Sequence, residues 1–233
     1  MRGFEEQDPS CCFATPRRGG IPHLRCGICV ASLRIIINGN HVMSAGIKAE
    51  NVLKHFLTIS EHKLEVMKGC FKTGLYLQGI LHDLSKYTPS EFLVGARYYQ
   101  GDRSPNNAER EEKGYSSSWL HHKGRNKHHY EYWVDYNSVR DVKEKSELTI
   151  PVKMPLKYVI EMMMDRIAAS KIYNKKDYRD DYPLKYFLRS YKLIPMNEET
   201  KRLLYALLKM LSVYGEKKTF RFIRERLLPR GEY

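Results

Sequence analysis

The sequence lacks any apolar run close to the roughly 20 residues that a helix needs to cross a bilayer. Its longest candidate, residues 28–37, is short and is interrupted by Arg34. We therefore expect no membrane-spanning segment and no membrane partner.

Cysteine is scarce outside the start of the chain. Of the five cysteines, only Cys70 lies beyond the first thirty residues; the others are Cys11, Cys12, Cys26 and Cys29. Disulfides therefore cannot hold the body of the protein together, which favours a reducing, cytoplasmic location. The pair Cys26 and Cys29 has the spacing of half a zinc site, but no second half follows at a suitable distance.

Alternating strand patterns, internal repeats and low-complexity tracts are also missing, whereas helical spacing is frequent from Met43 onwards. Residues 1–42 are rich in proline and glycine and show no helical period. We predict a poorly ordered N-terminal extension over residues 1–42 and one all-α domain, a helical bundle, over residues 43–233.

The helix predictions rest on apolar residues at helical spacing and on residues typical of helix starts. Two amphipathic helices are predicted around residues 52–57 and, after a cap at Ser60, around Leu64, Met67, Phe71 and Leu75. The polar, turn-rich residues 101–114 are predicted to form a loop. A helix capped by Asn126 is predicted to run to Tyr136, and Pro155 is predicted to begin a long helix that ends near Tyr173.

Basic residues outnumber acidic ones, 40 to 27, which gives a formal net charge of +13. A surface of this sign attracts anions. A small phosphorylated substrate is the partner that we expect, and nucleic acid is the second class that the charge permits. The oligomeric state is left open.

Six of the nine histidines fall in four places: His62, His82, and the pairs His121-His122 and His128-His129. Imidazole is the commonest metal ligand in proteins, and carboxylates complete such sites. The apolar run that ends in His82-Asp83, with Lys86 shortly after, is the sharpest signal. The alternative is that both residues simply occupy a helix end.

Asp165 and Glu161 share one face of the helix predicted after Pro155. The flanks of that face carry methionine and alanine, so the helix is apolar on nearly every side and is predicted to be buried. A buried carboxylate needs a cation beside it. A metal ion would serve, and an arginine or lysine side chain is the alternative.

The order His62, His82-Asp83, Asp165 on successive helices resembles the HD superfamily of metal-dependent phosphohydrolases, over roughly residues 61–173. A closer resemblance is to a bacterial HD-like family of unknown function. It is carried by the segments HDLSKYTPSEF, HHKGRNKHHYEYW and MPLKYVIEMMMD. The resemblance implies an HD-like helical bundle and metal ligands at His62, His82, Asp83 and Asp165.

The histidine-rich segment goes beyond the simplest HD pattern and is compatible with a second metal. We favour His122 and His129 as ligands, with His128 and Asn126 facing the substrate, although the choice within each pair is open. Helix-dipole interactions for His121 and His122, and aromatic packing for His128 and His129, are the alternatives.

A metal-activated water would attack the phosphoester, with Lys86 neutralising phosphate oxygens and Glu161 moving a proton or orienting a histidine. One or two ions of Mn, Fe, Co, Ni or Zn suit the His and Asp ligands. Two rivals remain. One is an HD-type di-iron oxygenase. The other is a non-catalytic nucleic-acid or nucleotide-binding module that uses Arg97, Lys123, Arg125 and Lys127.

Overall fold

The fold is all-α, as predicted. The computed structural model describes residues 46–137 and 148–233, which belong to one compact unit; the predicted extension, residues 1–42, lies outside the described residues. Within the described ranges there are eight α-helices: α1 (Ala49–Thr73), α2 (Tyr76–Leu81), α3 (Pro89–Arg97), α4 (Pro105–Lys113), α5 (Ser117–Lys123), α6 (Leu156–Asn174), α7 (Tyr182–Leu188) and α8 (Glu198–Phe222). None of these helices is both long and apolar enough to cross a membrane.

The long helices α1 and α6 pack against each other at the centre of the unit. Helix α6 begins after Pro155 and buries most of its length, as its all-round apolar sequence predicts. The two helices approach closely at Gly69, where an added Cβ would lie 2.7 Å from Sδ of Met164. This close contact brings side chains of α1 and α6 within reach of each other.

Helix α1 corrects the first local prediction, because it runs unbroken past Ser60. Its buried face carries His55, Ile59, His62 and Val66, whereas Leu53, Phe56 and Leu57 are exposed. Two histidines thus lie on the inward-facing side of the helix, whereas large apolar residues of the predicted amphipathic segment lie on its outer side.

The predicted loop at 101–114 was wrong, since most of it forms α4. The helix begins with Pro105 after Ser104 and ends at Gly114, which has a φ of 79°. Proline at the first turn and a left-handed glycine just past the end are typical helix boundaries. The helix buries only Ala108 and Glu109, so it has almost no apolar stripe to reveal it in the sequence.

The helix predicted from Asn126 to Tyr136 was also wrong. A single 3₁₀ turn, Tyr130–Trp133, leads into strand β1 (Val134–Tyr136), which pairs antiparallel with β2 (Thr149–Pro151). The partner strand lies more than ten residues further along the chain, so local periodicity cannot reveal the pairing. This short sheet is the only one among the described residues.

Candidate metal centre

Histidines and carboxylates from four parts of the fold meet beside the contact of α1 with α6. They lie on α1 (His62), at the end of α2 (His82 and Asp83), on α6 (Glu161 and Asp165), and at and after the end of α5 (His122, His128 and His129). His82, Asp83 and His128 are 1–2% exposed. The sequence-predicted ligands are therefore together in space.

The backbone at Asp83 has the left-handed conformation, with a φ of 53°. This conformation costs most residues about 1–2 kcal/mol, and aspartate tolerates it better than most. His82 ends α2, and the left-handed residue redirects the chain into the 3₁₀ turn Leu84–Tyr87. Two neighbours in sequence thus present their side chains to one point.

One group of potential ligands contains His62, His82, Asp83 and Asp165. Nε2 of His62 lies 2.9 Å from Oδ1 of Asp165, and Nε2 of His82 lies 3.1 Å from Oδ2 of Asp83. Nε2 of His82 is 3.8 Å from the same Asp165 oxygen. Two ligands of one ion, each about 2.0–2.2 Å from it, are separated by up to about 4.4 Å. These separations therefore suit one ion.

A second group contains Asp83, His122, His128 and His129. Nε2 of His122 lies 3.2 Å and Nε2 of His128 lies 3.4 Å from Oδ1 of Asp83. Nε2 of His122 is also 2.9 Å from Nε2 of His129. Two imidazole nitrogens thus lie close to one carboxylate oxygen, a third lies beside one of them, and these separations again suit one ion.

Asp83 joins the two groups, with Oδ2 facing the first and Oδ1 facing the second. Both oxygens are buried and lack a hydrogen bond of good geometry, as do Nε2 of His82 and Nε2 of His128. The ammonium of Lys86 lies 2.6 Å from Oδ2, but as an ion pair with poor hydrogen-bond geometry. Buried polar atoms rarely lack a hydrogen-bond partner in proteins, so these residues fit a bound cation.

Two further carboxylates, Glu161 and Glu91, contact the Nδ1 atoms of these histidines, whereas the Nε2 atoms face the ligand groups. Oε1 of Glu161 accepts from Nδ1 of His82 at 3.0 Å and lies 3.2 Å from Nδ1 of His128. Oε2 of Glu91 accepts from Nδ1 of His122 at 2.7 Å. A histidine that donates through Nδ1 presents Nε2 as an electron pair, which is the arrangement found in metal sites.

The start of α5 is anchored by Glu109 of α4. This carboxylate is fully buried and accepts hydrogen bonds from Ser116 and Ser117 at 2.7 and 2.6 Å. Burial alone would raise the pKa of Glu109, but the two hydroxyls lower it to about 2. The anchor fixes the first turn of the short helix whose last turn carries His122.

The charges of the cluster act on one another strongly. Burial by itself would raise the pKa of Asp83, but His82 and Lys86 more than offset it and hold that pKa well below its usual range. Burial would lower the pKa of His82, yet the neighbouring Asp83 raises it to about 9. The carboxylates thus create a strong preference for positive charge between them.

A cavity of about 1110 Å³ opens onto the cluster. The parts of the cluster in its wall are His62, Lys86, His122, His129 and Asp165. Arg166, Lys185 and Arg189 also line the cavity, as do several tyrosines. The volume lies just above the range for small-molecule sites, about 300–1,000 Å³.

His128 and Asn126, both predicted to face the substrate, have other contacts in the structure. His128, predicted to face the substrate, belongs to the second ligand group. Asn126, predicted beside it, donates to Oγ of Ser85 and to the carbonyl of His122, both at 2.8 Å. Glu91 was overlooked because the Thr88-x-x-Glu91 spacing explains it as a helix-start residue.

The comparisons with known proteins yield a family but no individual relative. No curated protein and no solved structure matches the chain. Residues 51–210, which include all three segments quoted above, match a family described as a family of unknown function (DUF5662). This chain is therefore a member of that family.

Proposed function

We propose that this protein is a metal-dependent hydrolase of the HD type that acts on a nucleotide or another small phosphoester. The observation that carries the proposal is the sharing of Asp83 between two ligand groups at the wall of a large cavity. The cytoplasmic location that the cysteine distribution favours belongs to the same proposal.

His62, His82, Asp83 and Asp165 would hold one ion, and Asp83, His122, His128 and His129 a second. Ions of Mn, Fe, Co, Ni or Zn suit these ligands. Such ions, when bound, lower the pKa of water and polarise phosphoryl oxygens. Glu161 accepts a hydrogen bond from His82 and lies 3.2 Å from Nδ1 of His128, so we assign it the orienting role rather than proton transfer.

The substrate side of the proposal rests on charge. Lys86 lies at the junction of the cluster and the cavity, where its ammonium can meet a phosphoryl oxygen. Arg166, Lys185 and Arg189, which also line the cavity, would attract the remaining negative charge. The cavity has room for a group larger than phosphate, which is why nucleotides are among the proposed substrates.

Metal analysis of the purified protein, together with a screen of nucleotides and phosphoesters, tests the function. We expect one or two transition-metal ions per chain and phosphate release that stops when a chelator removes them. A chain that takes up none of Mn, Fe, Co, Ni or Zn at micromolar concentration would contradict the proposal.

The di-iron oxygenase is the second candidate, because a carboxylate shared by two histidine-rich groups also suits two irons. The same preparation separates the two functions. Iron-loaded protein that consumes oxygen and hydrolyses no phosphoester would favour the oxygenase. Phosphate release without oxygen uptake would favour the hydrolase.

Glu161 and Glu91 should differ in how many metal ions depend on them. Replacing Glu161 by glutamine disturbs His82 and His128, one from each ligand group. Affinity for both ions should fall about 10- to 100-fold. Replacing Glu91 by glutamine disturbs His122 alone among the ligands, so only the second ion should be weakened. Equilibrium dialysis against Mn²⁺ or Zn²⁺ measures both affinities.

Glu225→Gln is a suitable control, since Glu225 is exposed and remote from the ligand groups. Its two metal affinities should match those of the unmodified protein. If Glu91→Gln lost both ions, or Glu161→Gln lost neither, the assignment of the two carboxylates would be wrong.

A further inference from the structure

Helix α1 exposes an apolar stripe on the side away from His62. Leu57, Leu64 and Phe71 follow one another at intervals of seven residues and are 55, 49 and 37% exposed. Leu53 extends the stripe towards the start of the helix and is also exposed. A seven-residue apolar repeat on an exposed helix face is typical of a helix that packs against another helix.

The stripe continues onto α2 and the turn after it, which expose Leu77, Ile80, Leu81 and Leu84. The two helices are in contact along this surface. The rings of Phe71 and Tyr76 lie 5.2 Å apart, and Gly79 packs so closely on α1 that an added Cβ would lie 3.2 Å from the Phe71 ring. The exposed side chains therefore form one surface, which we call the α1–α2 face. It comprises Leu53, Phe56, Leu57, Leu64, Phe71, Tyr76, Leu77, Ile80, Leu81 and Leu84.

The α1–α2 face is large enough for a stable interface. Its ten side chains are between 37 and 68% exposed. An aromatic side chain has roughly 150–250 Å² of surface and a leucine somewhat less, so ten side chains that are about half exposed present on the order of 700 Å². The largest apolar patch on a typical monomer is about 300–600 Å², and a standard interface buries about 800 Å² per partner.

We propose that the α1–α2 face binds a second copy of this chain, with the two α1 helices antiparallel and centred on Leu64. Leu57 and Phe71 each lie seven residues from Leu64, so a two-fold axis there pairs Leu64 with itself and Leu57 with Phe71 of the second copy. The apolar stripe is complementary to itself in this arrangement.

The charges beside the stripe support the same pairing. Glu61 precedes Leu64 by three residues and Lys68 follows it by four, so the antiparallel helices bring Glu61 close to Lys68 of the second copy, twice. Within the described part of the chain, no ion pair involves Glu61, whereas the exposed Lys68 pairs with Glu65 of its own helix at 2.6 Å and would share its charge between the two carboxylates in the dimer. A membrane surface would favour basic flanks, whereas this stripe is flanked by Glu61 and Glu65 as well as by lysines.

The second copy would also cover the structure that leads to the metal cluster. Ile80 and Leu81 belong to the face, and His82 and Asp83 follow them directly. Lys63 of α1 donates to the carbonyls of Ile80 and His82 at 2.7 and 2.8 Å, which ties the end of α2 to α1. Packing on this face would therefore shield from water the helix end that presents two potential ligands.

Sedimentation equilibrium of the full chain tests the proposal. We expect a mass of twice 27.4 kDa at micromolar concentration. Leu64→Glu places two like charges at the centre of the contact and should weaken association at least 100-fold. Val213→Glu is the matched control, because Val213 is an exposed apolar residue of α8 outside the face, and it should leave the mass unchanged.

If Leu64→Glu fails to fold, exchanging the charges at positions 61 and 68 tests the same proposal. Glu61→Lys should weaken the dimer, and adding Lys68→Glu to the same chain should restore it. An unmodified chain that is monomeric at micromolar concentration would overturn the proposal. So would a dimer that Leu64→Glu leaves intact, or a monomer that binds vesicles of phosphatidylcholine and phosphatidylserine through this face.

Discussion

Asp83→Asn should lose both metal ions and lower phosphoester hydrolysis at least about 10³-fold. Asp83 is the one side chain that belongs to both four-residue ligand groups, with a different oxygen facing each. An amide removes the negative charge and offers only one oxygen, so neither group keeps its full ligand set. Metal content by mass spectrometry and phosphate release measure the two effects.

Asparagine is a cleaner replacement than alanine at this position. It tolerates the left-handed backbone of Asp83, whereas alanine would add about 1–2 kcal/mol of strain to the loss of the ligand. Asp135→Asn is the matched control, since Asp135 is exposed on β1 and should tolerate the change without effect. Normal metal content in the Asp83 variant would place the metal, and hence the proposed chemistry, elsewhere.

Lys86→Ala should keep its metal and still lose about 10²- to 10³-fold in turnover. The ammonium lies at the cavity wall and belongs to no ligand group, so its proposed task is to neutralise charge that develops on the phosphoryl oxygens. Its 2.6 Å contact with Oδ2 of Asp83 opposes a cation at the same oxygen. Metal affinity should therefore stay equal or rise when Lys86 is removed.

The measurement compares turnover at saturating substrate with metal content in one preparation. Lys123→Ala and Lys127→Ala are the controls, because neither residue lines the cavity and both should leave turnover unchanged. If metal content fell together with turnover in the Lys86 variant, Lys86 would have to be regarded as support for Asp83 rather than as a substrate contact.

The residues of the first ligand group could be predicted from the sequence, and the physical reason is clear. Asp165 and the pair His82-Asp83 are polar residues beside apolar helical runs, where burial demands a partner. His62 was predicted from the order of residues that resembles the HD superfamily. The prediction failed on the extent of α1, which was expected as two helices divided at Ser60 and is one. His55 and His62 lie on its buried side, so the apolar spacing in the sequence does not mark the face that packs inwards.

The second ligand group was only half predictable. His122 and His129 were favoured, but the choice against His128 assumed a helix after Asn126. The chain forms a 3₁₀ turn there and then pairs with a distant strand, so helical spacing does not apply. Glu91 shows a second limit, because a carboxylate that supports His122 across 31 positions leaves no local pattern.

The left-handed backbone at Asp83 bears on how tightly the proposed site would bind an ion. The folded protein already holds this residue in the conformation that presents both carboxylate oxygens, so an arriving ion has little main chain to order. The conformational entropy of this residue is therefore lost when the chain folds and not when it binds an ion. In the unfolded chain the same residue seldom adopts this shape, and an ion that selects the folded form adds to its stability in proportion to the logarithm of metal concentration.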